Sequence, residues 1–175
     1  MLSSRGLIRV TLTSLVCGAL LIPASATSVG ATSVPTKVTR SGETTLSVKP
    51  TKNLTSTGAR IKVRGKGFDR RIGIYVALCV TPKKGSTKAP GPCGGGVNLT
   101  ASDPASAWIS SNPPPYGSAL AIPFSKRGKF SVTLTVSPKI GKIDCRNVSC
   151  SIVTRADHTK PSFRGADLYI PVSFT

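Results

Sequence analysis

Gly73-Ile74-Tyr75-Val76-Ala77-Leu78-Cys79-Val80 runs as an apolar segment into a loop closed by Cys93 and by Gly94, Gly95 and Gly96. Ile74, Val76, Leu78 and Val80 share one face at a period of two, while Tyr75, Ala77 and Cys79 share the other. Both faces are largely apolar, which suits a central strand of a sandwich rather than a surface strand. Between the two cysteines, residues 81–92 carry three prolines, two glycines and three lysines, a composition that cannot pack a core by itself. A disulfide from Cys79 to Cys93 would anchor this loop. The Ile74 face is expected to fill the core, and the Tyr75 face to form a floor turned toward a ligand.

Outward from this segment the chain reads as short strands with turn signals between them. They are expected at Thr45–Lys49, Arg60–Arg64, Gly73–Thr81, Ala105–Ser110, Ala119–Pro123, Lys129–Val136, Ser149–Arg155 and Ala166–Thr175. Alternation is clearest where Phe130, Val132, Leu134 and Val136 interleave with Ser131, Thr133 and Thr135. It recurs where Leu168, Ile170, Val172 and Phe174 interleave with Tyr169, Pro171 and Ser173. No ten-residue window shows a helical apolar stripe, and seven or eight such strands in one domain imply an all-β antiparallel sandwich. Pro171 has no N–H to give, so its strand should lie at an edge or carry a bulge.

The N-terminus reads as a secretory signal peptide over residues 1–26. Arg5 and Arg9 precede an apolar run from Val10 to Ile22, and Pro23-Ala24-Ser25-Ala26 supplies a small-residue cleavage site. The run is too short for a permanent membrane span. Cleavage after Ala26 removes Cys17 and leaves Cys79, Cys93, Cys145 and Cys150, an even set in an oxidising compartment. Three pairings are formally possible; nearness in sequence and the turn-rich chain enclosed favour Cys79 with Cys93 and Cys145 with Cys150. Zinc is the competing reading, but the short knuckle spacing is absent and His158 is the only histidine. Residues 27–43 read as a flexible leader and 44–175 as the domain, which is expected to be secreted or associated with the cell envelope, and monomeric.

The full chain has 24 Lys and Arg against 6 Asp and Glu, a net charge of +18. Such a balance implies attraction to polyanions such as DNA or a cell-wall polymer. Lys62, Arg64 and Lys66 at alternate positions, followed by Arg70 and Arg71, are the candidate polyanion-binding residues.

Several segments together resemble the neocarzinostatin-like family. They are Val-Arg-Gly-Lys-Gly-Phe at 63–68, Ile-Tyr-Val-Ala-Leu-Cys at 74–79, Phe-Ser-Val-Thr-Leu-Thr-Val at 130–136, the cysteine pair at 145 and 150, and Ile-Pro-Val-Ser-Phe at 170–174. The resemblance implies an immunoglobulin-like sandwich of about seven strands with a cleft beside the sheet. In the antibiotic members that cleft holds an apolar chromophore. Those members are acidic, whereas this chain is basic. The segment 105–117, with Thr154 to Thr159, is more similar to an actinobacterial secreted subgroup associated with haem uptake.

Together these observations imply a non-enzymatic binding protein without a resident cofactor, holding an apolar or polycyclic molecule, haem or a chromophore among them. Tyr75, Cys79, Cys93, Trp108 and Tyr116 are its candidate ligand-binding residues, with Pro113 to Pro115 as a rigid turn between the last two. The alternatives are a basic envelope-binding or DNA-binding protein of antimicrobial type, or an accessory domain of haem uptake. A hydrolase built on Asp157 and His158 lacks the Gly-x-Ser-x-Gly elbow. Residues 154–159 read instead as a polar turn, with Arg155, Asp157 and His158 facing solvent or a partner.

Overall fold

Side chains at alternate positions go to opposite faces of a strand, and the apolar sets identified above become the two inner faces of a sandwich. The computed structural model describes residues 36–95 and 105–175, which belong to one unit, Ser33–Thr175. Its strands are β1 (Lys37–Ser41), β2 (Thr44–Lys49), β3 (Ala59–Lys66), β4 (Ile74–Val80), β5 (Ser106–Ile109), β6 (Phe130–Val136), β7 (Lys139–Ile140), β8 (Ile143–Asp144), β9 (Cys150–Ala156) and β10 (Leu168–Val172). One sheet has the order β1-β2-β3-β6, the other β10-β9-β4-β5, and β7 and β8 form a two-stranded ribbon. All the strand pairings are antiparallel. The expected signal peptide lies outside the described residues.

Leu46, Val48, Ile61, Val63 and Leu134 project from the first sheet onto Ile74, Val76, Leu78, Ile152 and Ile170 of the second, all at 2 % exposure or less. Burying each such side chain contributes about 1.5–3 kcal/mol relative to exposure. Phe68, Phe124 and Phe130 close one end, with centroids 5.4–6.3 Å apart. Gly65 lies opposite Phe130 in the register, and a Cβ there would run into the Phe130 ring. The glycine in Val-Arg-Gly-Lys is therefore a seat for an aromatic side chain.

Both disulfides form as the spacing suggested, Cys79–Cys93 and Cys145–Cys150. β10 is an edge strand, so Pro171 withholds no donor that an interior ladder requires.

Three expectations are corrected. Lys37–Ser41, read as leader, is an edge strand paired with β2; its single large apolar side chain, Val38, is half exposed, so it carried no hydrophobic signal. Ala119–Pro123 is no strand. The 3-10 turn Pro115–Gly117 continues into bonds from Leu120 and Ala121 N–H to the Gly117 carbonyl, and Ile122 alone bridges to Ile109. Residues 154–159 are not simply a polar turn either, because Thr154 to Ala156 complete β9 and Asp157 is 1 % exposed.

Candidate functional site

β4 is interior to its sheet, so its second face carries side chains that the sandwich core does not cover. The register sets them in rows. Tyr75 stands between Trp108 of β5 and Arg155 of β9; Ala77 stands between Ser106 and Val153, with Tyr169 of β10 beyond; Cys79 faces Ser151. Ala77, Cys79 and Val153 point away from the main core yet are 5 %, 1 % and 1 % exposed, and form a second apolar cluster with Cys93 and Tyr169. Their cover begins with the loop leaving β4. The Cys79–Cys93 bond draws it back, Val80 N–H donates to the Pro92 carbonyl, and Gly94 N–H donates to the Leu78 carbonyl.

A cavity of about 210 Å³ lies over this floor, between Tyr75, Ala77, Cys79, Cys93, Val153 and Arg155, with Gly94 and Ser106 on its margin. Its surface is predominantly apolar. Arg155 adds a charge at the wall, where Nη1 donates to the Pro90 carbonyl at 2.9 Å while the buried Nε has no partner. An unpaired guanidinium N–H costs free energy, and the charged group as a whole stands at the wall of the recess, where an acceptor or anionic group would complement it.

Next to the cavity, Tyr75 belongs to an aromatic group. Its hydroxyl meets His158 Nδ1 at 2.5 Å, and His158 Nε2 meets the Tyr116 hydroxyl at 2.7 Å. Burial raises the Tyr75 pKa, and the nearby Asp157 charge adds to the shift. The phenol therefore keeps its proton, and the two tyrosine hydroxyls bracket the imidazole, one at each ring nitrogen. Trp108 stands edge-on to His158, with centroids 5.2 Å apart, and its Nε1–H donates to Asp157 Oδ2 at 2.8 Å. Asp157 Oδ1 accepts from Thr159 N–H at 2.9 Å and from its hydroxyl at 2.6 Å. Gly73 makes room for this carboxylate, because a Cβ at Gly73 would collide with Oδ2.

The five residues singled out as ligand-binding divide in two. Tyr75, Cys79 and Cys93 line the cavity, whereas Trp108 and Tyr116 do not: Trp108 packs directly beside Tyr75, with ring centroids 6.1 Å apart, and Tyr116 reaches Tyr75 through His158. Gly117 lies against the Trp108 ring, so one side of the indole is covered by the polyproline turn. Tyr116 is 68 % exposed. Val153 and Arg155 line the cavity without having been singled out for it. Their alternation against Ile152 and Thr154 could have shown which face they share, though not which strand they join. The reading of 154–159 as facing outward holds for His158, which is exposed; Arg155 is half-buried and Asp157 is buried. Asp157 bonds to Trp108 and Thr159, and the His158 nitrogens face two tyrosines, so the pair is not arranged as an acid-histidine relay. Tyr169 packs on the Val153 cluster.

Of the basic candidates, Lys62, Arg64 and Lys66 project from the outward face of β3, and Arg70 is exposed in the following turn. Arg71 is engaged: its guanidinium grips Asp69 at 2.8–3.2 Å, and these bonds lower the Asp69 pKa to about 2. Among the described residues no three His, Cys, Asp or Glu side chains converge as metal ligands, and no helix is long and apolar enough to cross a membrane.

This architecture is that of a disulfide-braced antiparallel β-sandwich with an apolar recess on the outer face of one sheet. Among solved structures the chain is similar to macromomycin, an apoprotein of the neocarzinostatin family, at 18 % identity over 81 % of this chain and 100 % of that one, with a TM-score of 0.48. No family model and no curated protein matches the chain.

Proposed function

We propose that this chain is a non-enzymatic binding protein that holds a small planar, largely apolar molecule with an acceptor or anionic group in the recess beside β4. The observation that carries this reading is the buried floor of Ala77, Cys79 and Val153 on the outside of the sheet, walled by an arginine whose Nε has no partner. An apolar surface outside the core, with one unsatisfied polar group, suits a ligand that is a flat hydrocarbon with an anchor. The volume of about 210 Å³ lies below the roughly 300–1,000 Å³ of drug-sized sites, which favours one or two fused rings over a macrocycle such as haem. Two disulfides suit work outside the cytoplasm, so we place the protein among secreted carriers of small molecules.

The test is titration with 2-naphthoate, followed by calorimetry and by fluorescence of Trp108. About a dozen heavy atoms at about 0.4 kcal/mol each give about 5 kcal/mol, a dissociation constant near ~200 µM. Ala77→Phe should fill the recess and abolish binding, and Arg155→Met should weaken binding of 2-naphthoate but not of naphthalene. Binding that survives Ala77→Phe in a folded protein would sink the proposal. Haemin serves as the contrast: tighter binding of haemin, with a Soret shift lost in His158→Ala or Tyr116→Phe, would move the ligand site to the His158 group.

A further inference from the structure

The outer face of the other sheet has a wholly different chemistry. β3 alternates Ala59, Ile61, Val63 and Gly65 inward with Arg60, Lys62, Arg64 and Lys66 outward, and the outward four are all exposed. The register extends the face to both sides. Lys49 of β2 stands opposite Lys62, and Ser47 opposite Arg64; Arg40 of β1 stands opposite Thr45, which is itself opposite Lys66. On the other side, Ser131, Thr133 and Thr135 of β6 stand opposite Arg64, Lys62 and Arg60. Six cations and five hydroxyls thus share one sheet face with Val38.

No acidic residue is placed on this face by the register. Of the acids in the described ion pairs, Asp144 and Asp167 lie elsewhere; Asp69, paired with Arg71, and Glu43, in the turn after β1, border the face at its Lys66 end, where both line a depression with Arg40, Thr45 and Lys66. Lys49 directly opposite Lys62 is a destabilising cross-strand pair. A fold with hydroxyls available at neighbouring positions has no structural use for that repulsion, and a bound polyanion removes it.

The spacing narrows the partner. Alternate residues on a strand are about 6.8 Å apart, so the four cations of β3 form a straight row about 20 Å long. Three backbone bonds of an extended chain span about 3.4 Å, so a polymer whose phosphates are six bonds apart repeats at about 7 Å. Poly(glycerol phosphate) has that repeat. Single-stranded nucleic acid shares it, but its non-specific binders add aromatic stacking platforms, and this face carries no Phe, Tyr or Trp. Its five hydroxyls instead suit a polyol. Val38 is its only large apolar side chain, too little to enter a lipid surface.

We propose that the outer face of the β1-β2-β3-β6 sheet binds a linear polyol-phosphate polymer laid along β3, with Arg60, Lys62, Arg64 and Lys66 each meeting one phosphate. The face is separate from the recess beside β4 and does not depend on what that recess holds.

The experiment titrates the protein with delipidated poly(glycerol phosphate) at several salt concentrations from 50 to 200 mM. Lys62→Thr with Arg64→Thr keeps strand-forming residues at both positions. Lys83→Thr with Lys84→Thr, in the loop after β4, removes the same charge elsewhere. At about 0.7 counterions released per phosphate contact, the strand variant should flatten the slope of log affinity against log salt by about 1.4. It should also weaken binding at 50 mM about tenfold or more, while the loop variant stays within about twofold. Equal losses in both variants would show attraction to net charge alone and overturn the proposal. Tighter binding of oligothymidylate with the same number of phosphates, or of phosphatidylglycerol vesicles, would overturn the choice of polymer.

Discussion

Removing the Asp157 carboxylate should be among the costliest single changes on the outer side of the second sheet. Asp157 is 1 % exposed and accepts three hydrogen bonds, one from the half-buried Trp108 indole and two from the exposed Thr159. In Asp157→Ala, water can replace the partner of Thr159 but not readily that of Trp108. Hydrogen bonds to a charged group contribute about 1.5–3 kcal/mol each, and a rehydrated pair costs less, so the expected loss is about 3 kcal/mol. At a urea slope of about 1.5 kcal/mol/M the midpoint should fall by about 2 M. Trp108→Phe should cost a similar amount, through lost packing and a stranded Oδ2. The double variant should then be less destabilised than the sum by about 1.5 kcal/mol, since both single changes break one bond. Unfolding would be followed by far-ultraviolet circular dichroism, because the tryptophan variant has no indole left to report. Strict additivity, or a loss below about 0.5 kcal/mol for Asp157→Ala, would refute the claim that the buried carboxylate holds the indole.

The two disulfides should separate stability from binding. Cys145→Ala with Cys150→Ala opens a short loop and should cost about 2 kcal/mol without changing 2-naphthoate affinity. Cys79→Ala with Cys93→Ala should cost about 3 kcal/mol and abolish that binding, since the pair forms one wall of the recess; melting curves and titrations of both variants decide this. Burial raises the pKa values of Tyr75 and Tyr169 above the ordinary tyrosine value. The folded protein therefore holds these protons more tightly than the unfolded chain. Their stabilising contribution is present below pH 10 and is lost as pH rises through the raised values. An absorbance titration at 295 nm should show a late phenolate step that shrinks in Tyr75→Phe and in Tyr169→Phe, and an unchanged late step in both variants would contradict the burial.

What could be read from the chain depended on whether a residue's role follows from its neighbours in sequence or from neighbours across the fold. Phe130 to Val136 and Ile74 to Val80 declare their strands because alternate burial writes itself as alternate hydrophobicity. The cysteine pairs declare themselves because each closes a short loop. Lys37 to Ser41 could not, since an edge strand with one half-exposed valine has no apolar rhythm to read. Asp157 and His158 were legible as chemistry but not as geometry. Next to each other in a polar-looking stretch, they suggested a shared role facing solvent, yet a one-residue step at the end of β9 sends the first inward and the second outward. What draws the carboxylate in is far away in sequence: the absent side chain of Gly73 leaves the space, and the indole of Trp108 supplies the donor. Arg155 shows the same limit from the other side. Its charge argues for exposure, but the register places it beside Tyr75, and the disulfide-tethered loop brings the Pro90 carbonyl to one of its nitrogens while Nε is left unpaired. An unsatisfied donor is a property of three segments at once, so it has no signature in any one of them, and it is the feature on which the proposed ligand's polar group is argued.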